Sequence, residues 1–162
     1  PLLSSPHKKP FIKPSKKYLC SFVGRKSTHP IREIMFQQLN RGDVFLYDGD
    51  NGSRFFVKKT LESYISLCPR GYGGSSFRFF ESMQLGIVPF LIGDIDTRPF
   101  KRFINWDEIS FFSDSITSLI EKLDCVEKSK LIEMGKNAER TWKEQITFQK
   151  WCDHVFKELI EL

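Results

Sequence analysis

The sequence predicts an α/β fold built on a doubly wound, mostly parallel sheet. Three observations carry this. Short apolar runs alternate with stretches of helical spacing along residues 18–162, the pattern of strands joined by crossover helices. The run Val88–Ile92 is apolar throughout, as strands covered on both faces tend to be. A glycine-rich stretch, Gly71-Tyr72-Gly73-Gly74, joins a strand-like run to a helix, the junction where Rossmann-like sheets hold ligands at the carboxyl ends of their strands.

The elements follow in order. Residues 18–23 are a short apolar run ending at Gly24, and Ile31, Ile34, Met35 and Leu39 then share one helical face over residues 30–39. Residues 43–47 read as a second strand, 55–63 as a short helix and 64–68 as a third strand. The next helix starts near Ser75 or Ser76, good N-cap residues, and stops at Gly86, a good C-cap. After Val88–Ile92 comes a loop with Pro99, a short fifth strand over 109–112, and three closing helices over 115–123, 127–140 and 147–162.

Charge and cysteine content narrow the function. The net charge of +5 is local: Lys8, Lys9, Lys13, Lys16 and Lys17 face no acidic residue in the first 17 positions, and the remainder balances. That balance argues against a nucleic-acid-binding face on the folded part. With Pro6, Pro10 and Pro14 in the same stretch, residues 1–17 are expected to be an extended interdomain linker, with a solvated tail as the alternative. No apolar run approaches 18 residues, so no transmembrane helix is expected. The chain opens on Pro1 rather than Met, and a preceding region is expected. Cys20, Cys68, Cys125 and Cys152 form no CxxC pair and have no His at zinc-ligand spacing, which excludes a zinc finger.

The stretch with most chemistry is Leu67-Cys68-Pro69-Arg70-Gly71-Tyr72-Gly73-Gly74-Ser75-Ser76-Phe77-Arg78-Phe79-Phe80-Glu81. Glycines allow close backbone approach, and the free N–H groups and positive dipole end of the following helix favour a phosphate. Arg70 and Arg78 bracket the loop and offer bidentate contacts to a diphosphate. Glu81 lies on the order of 7.5 Å further along the helix, leaning back towards its start. It either accepts both hydroxyl hydrogens of a ribose or forms an ordinary ion pair with Arg78. The loop matches neither GxGxxG nor the Walker A pattern, which weakens dinucleotide and ATP readings.

Several motifs in one order resemble the C-terminal domain of exostosin-like glycosyltransferases. They are Ser21-Phe22-Val23-Gly24-Arg25, His29-Pro30-Ile31-Arg32, the stretch 68–81, Gln84-Leu85-Gly86-Ile87-Val88-Pro89, Pro99-Phe100 and Ile104-Asn105-Trp106. The resemblance runs from about Tyr18 to the end. It implies the donor-binding half of a GT-B fold and an inverting transfer of a sugar from a nucleoside diphosphate, UDP by preference, to a glycan acceptor. It further implies that Gly24 and Arg25 sit near the diphosphate, that Arg70, Gly73, Gly74, Ser75, Ser76 and Arg78 hold phosphates and sugar, and that Glu81 binds the ribose. Asn105 departs from the pattern, which has Asp before the Trp. The general base and an acceptor domain are expected from an N-terminal region of the full-length chain. The family's location implies the Golgi lumen, with the cytoplasm as the alternative.

Other candidates are weaker. Asp48-Gly49-Asp50 and Asp94-Ile95-Asp96 each spell DxD, a spacing able to hold Mg²⁺ or Mn²⁺, but both fall in loops where Asp is common anyway. Metal-independent binding is expected, with no cofactor beyond the substrate. His7, His29 and His154 are scattered, and His29 reads as a helix N-terminal residue. Trp142, Phe148, Trp151 and Phe156 are expected in the core. Asn51-Gly52-Ser53 is a glycosylation sequon, relevant only in the secretory pathway. The rival to a glycosyltransferase domain is a non-catalytic nucleotide- or carbohydrate-binding module of the same fold.

Overall fold

A computed structural model describes residues 7–160, so expectations falling on residues 1–6 and on the last two residues lie outside the described part. Five strands, β1 (Tyr18–Gly24), β2 (Val44–Asp48), β3 (Ser63–Pro69), β4 (Val88–Ile92) and β5 (Phe111–Ser113), form one all-parallel sheet in the order β2-β1-β3-β4-β5. Six helices cover it: α1 (Pro30–Gln38), α2 (Gly52–Leu61), α3 (Phe77–Leu85), α4 (Ile116–Cys125), α5 (Lys128–Gln145) and α6 (Phe148–Ile160). Helices α1 and α4 pack with Phe22, Ile65, Leu67 and Phe90 in one core. Helices α3 and α5 close the other face around Cys68, Met83 and Leu91, and α2 joins them through Val57 and Leu61. The doubly wound α/β expectation holds.

The order matters for function. The chain leaves β1 towards β2 on one side and returns past it to β3 on the other, so the loops after β1 and β3 diverge. That divergence opens a crevice at their carboxyl ends, the topological switch point where such sheets bind ligands.

Local chemistry explains the boundaries. His29 caps α1, its Nδ1 accepting from Ile31 N at 3.2 Å, with Pro30 in the first turn. Gly86 ends α3 in the left-handed region at φ 72°, where other residues are strained. A Cβ on Gly135 of α5 would strike the Gly86 carbonyl oxygen and lie 3.2 Å from its carbon, so α5 packs directly on that cap.

Three expectations shift. Helix α2 begins three residues earlier than expected, because Asp50 Oδ1 accepts from Gly52 N at 2.9 Å and starts the turn. β5 slips towards Ser113, because Ile109 caps a short 3-10 turn over Trp106–Glu108 and is buried there. Phe148 and Phe156 are not core residues: both are exposed on α6, whereas Trp142 and Trp151 pack inside.

Residues 7–17, expected as a linker, carry no regular element yet lie against the domain. Lys17 pairs with Glu62 at 2.9 Å and Lys16 Nζ donates to Ser63 O at 2.5 Å, both at the start of β3. Lys9 pairs with Glu139 at 2.6 Å, and His7 reaches the opposite end of the sheet, with its ring 5.4 Å from that of Phe56. The segment therefore spans the domain from the beginning of β3 to the crevice.

Candidate functional site

The crevice at the switch point is a cavity of about 550 Å³. Its floor is Gly24 and Arg25 after β1, one side is Gly71, Tyr72, Gly73, Ser75, Ser76, Arg78 and Glu81 after β3, and the other is Asp50, Ser53 and Phe56 after β2. His7 completes the wall. The loops that sequence reading singled out therefore meet in one place.

Arg78 is the central cation. Its Nε donates to Val23 O at 2.7 Å, and its guanidinium carbon lies 5.2 Å from the Phe22 ring centroid. No described carboxylate pairs with it. A Cβ at position 24 would approach the guanidinium carbon to 2.8 Å, so Gly24 is there because Arg78 passes over it. The start of α3 is also short of partners. Ser76 stands at the N-cap without donating or accepting a capping bond, and its buried Oγ has no hydrogen-bond partner among the described residues. An orphaned hydroxyl beside free helical N–H groups and an unneutralised guanidinium is chemically suited to an anion.

Glu81 resolves one of its two readings. It makes no pair with Arg78; its Oε1 instead lies 3.1 Å from His7 Nε2, with no well-formed hydrogen bond between them. Glu81 lines the cavity beside His7.

Two expected contacts fall elsewhere. Arg70 is ion-paired with Asp94 at the end of β4, its side chain over Gly93 and outside the cavity lining. Gly74 packs on Thr97 instead, where a Cβ would lie 3.3 Å from the Thr97 methyl. The DxD motifs are occupied by protein cations and amides. Asp96 binds Arg98 at 2.8 Å and Lys101 at 3.0 Å; burial pushes its carboxyl up, but those hydrogen bonds outweigh it and hold the pKa down at about 2. Asp48 accepts from Lys26 N at 2.9 Å, and Asp50 is spent on Gly52. Among the described residues no group of three His, Cys, Asp or Glu is arranged to hold a metal ion.

Sequence reading assigned no role to Arg32. It is buried at 5% exposure, and its three nitrogens donate to Arg70 O, Arg25 O and Pro69 O at 2.9, 2.9 and 3.0 Å. Its guanidinium carbon lies 5.3 Å from the Phe22 centroid, so Phe22 carries two arginines. Burial first, and Arg78 next, draw the Arg32 pKa down to about 10. The available signal was its position: a cation in the first turn of a helix, where the dipole disfavours one.

Comparison with known proteins gives the family. The Exostosin GT47 domain model matches residues 1–121, which include every residue of the crevice described above. Exostosin-1 of Drosophila melanogaster is 30% identical over 62% of this chain and 16% of its own length. The exostosin-1 homolog of Caenorhabditis elegans is 25% identical over 90% of this chain and 45% of its own, and a probable glucuronosyltransferase of Oryza sativa subsp. japonica is 29% identical over 72% and 30%. The chain thus spans less than half the length of these relatives. With the domain model matched over most of its length and the motif-bearing loops gathered at one crevice, the chain belongs to the exostosin GT47 family.

Proposed function

We propose that this chain is the donor-binding domain of a glycosyltransferase, which holds a nucleoside diphosphate sugar, UDP-linked by preference, for inverting transfer to a glycan acceptor. The observation that carries this is the unneutralised cation at the start of α3: Arg78 on Phe22, beside the orphaned Ser76 hydroxyl, in a 550 Å³ cavity at the switch point. In this reading the diphosphate lies against the N-terminus of α3, with Arg78 and Arg25 facing it and the open space at Gly73 leaving room for it. Glu81 accepts from the ribose hydroxyls. As the bond to the sugar breaks, negative charge grows on the departing diphosphate, and fixed N–H groups and guanidinium stabilise it without reorganising. Arg70 acts at a remove, fixing the β3 and β4 ends through Asp94.

The domain is read as half of a GT-B enzyme. The acceptor hydroxyl needs a general base, assigned here to an N-terminal acceptor domain, with residues 1–17 as the connection to it. This part alone should bind donor and transfer slowly or not at all.

Thermal unfolding with UDP tests the proposal. Ligand at a hundred times its dissociation constant should add about 2.7 kcal/mol, with or without chelator. Stabilisation that appears only with Mn²⁺ would move the phosphate site to the DxD loops, and none with any nucleoside diphosphate would sink it.

A further inference from the structure

We infer that Arg32 is a positioning residue, a buried fork that sets the spacing between the two loops of the crevice. Its location is costly on every count. It is buried, it stands in the first turn of α1 where the dipole repels a cation, it faces Arg78, and no described carboxylate offsets it. What compensates is geometric. Nε, Nη1 and Nη2 each reach a different carbonyl, one belonging to the loop after β1 and two to the end of β3. These are the two segments that diverge at the switch point, and no backbone hydrogen bond between them is formed beyond the end of β3. Where the sheet stops, Arg32 continues the connection.

A planar guanidinium with rigidly directed donors can do this; a lysine ammonium, a point charge on a flexible stem, cannot hold three carbonyls at fixed angles. Gly71 is part of the same fit, because a Cβ there would lie 3.2 Å from Arg32 Nη2. Fixing these carbonyls orients the peptide groups on both lips of the cavity. It thereby sets the distance between Gly24 and the start of α3 that a diphosphate must bridge.

The ligand half of this inference rests on the proposed function, but the connection itself can be read without ligand. Hydrogen exchange of the ligand-free protein should compare wild type with Arg32→Lys, which keeps the charge and loses the fork. Amides of residues 24–28 and 70–76 should exchange about tenfold faster, with those inside β1 and β3 unchanged. Calorimetry should then show UDP binding weakened about tenfold while uridine, lacking the diphosphate, binds as before. That split distinguishes positioning from general destabilisation. Gly71→Ala crowds the fork from the other side with Arg32 in place, so it must loosen the same amides, and it serves if Arg32→Lys does not fold. Unchanged exchange in both loops overturns the inference, as does equal UDP affinity in wild type and Arg32→Lys. Loosened loops in a protein whose wild type does not bind UDP would uphold the fork and reject the donor reading.

Discussion

Two ends of one sheet edge use the same residue types in opposite ways. In the connection from β4 to β5, basic and acidic side chains neutralise each other: Arg98 with Asp96 and Asp107, Lys101 with Asp96, and Asp94 with Arg70, which reaches across from the end of β3. In the crevice between the ends of β1 and β3, Arg32 and Arg78 rest on Phe22 with carbonyls for partners and no carboxylate among the described residues. A neutralised cation holds a loop in shape and has little field left for a ligand. An unneutralised one raises the cost of the empty state and is relieved when an anion arrives. On the proposed function, the contrast makes one end scaffold and the other the binding site.

The largest effect should come from the neutralised end. Arg98→Met leaves the partly buried Asp96 carboxylate with Lys101 and the backbone N–H of residue 98 but without its guanidinium, and stability should fall by about 3 kcal/mol. UDP affinity, measured below the lowered melting temperature, should be unaltered. Comparable losses of affinity from Arg98→Met and Arg78→Met would break the contrast. Arg78→Met itself should weaken UDP binding by about 2 kcal/mol with little change in unfolding midpoint, since it gives up one carbonyl bond and no ion pair.

Glu81→Gln sharpens the picture within the crevice. It keeps the shape but loses charge-assisted acceptance, and UDP affinity should fall by about 1.5 kcal/mol. A nucleotide lacking the 2′-hydroxyl should bind wild type more weakly but Glu81→Gln nearly as well as UDP does, because one contact is not lost twice. Equal losses in both proteins would put the ribose elsewhere.

The smallest effect lies away from both ends. His154 is buried against Phe100 and Phe103, with ring centroids 4.9 and 5.2 Å away, and burial lowers its pKa. A folded-state pKa below the unfolded value means the neutral imidazole is favoured in the fold. The stability it contributes is therefore complete above about pH 6.5 and declines as pH falls from there through the folded pKa. Docking of α6, followed by Trp151 fluorescence, should loosen on mild acidification, and His154→Phe should remove that dependence.

Sequence reading found what local chemistry dictates and missed what tertiary partners decide. The apolar run at β4, the capping at Gly86 and the loop from Arg70 into α3 were legible because hydrophobic pattern, φ > 0 and helix polarity are written in neighbouring residues. Glu81 was legible as a candidate, but setting aside an ion pair with Arg78 required seeing the guanidinium turn away to Val23 and Phe22. Arg32 was not legible, because an arginine in a helix pattern looks the same whether it faces water or three carbonyls. Asp94, the partner of Arg70, comes from a different loop, the one after β4, and Ile34 showed the limit of periodicity: it shares the helical spacing of Met35 yet is exposed.

The segment from His7 to Lys17 has a consequence for regulation by mass action. One of its ends is tied to the start of β3 and the other forms a wall of the crevice beside Glu81. With a donor in the crevice as proposed, occupancy and segment docking would be thermodynamically linked, and linkage is reciprocal: a ligand that favours the docked segment by some factor is itself favoured by that factor when the segment is docked. A tug on residues 7–17 would be transmitted to the crevice as a change in occupancy, with no movement of the sheet required.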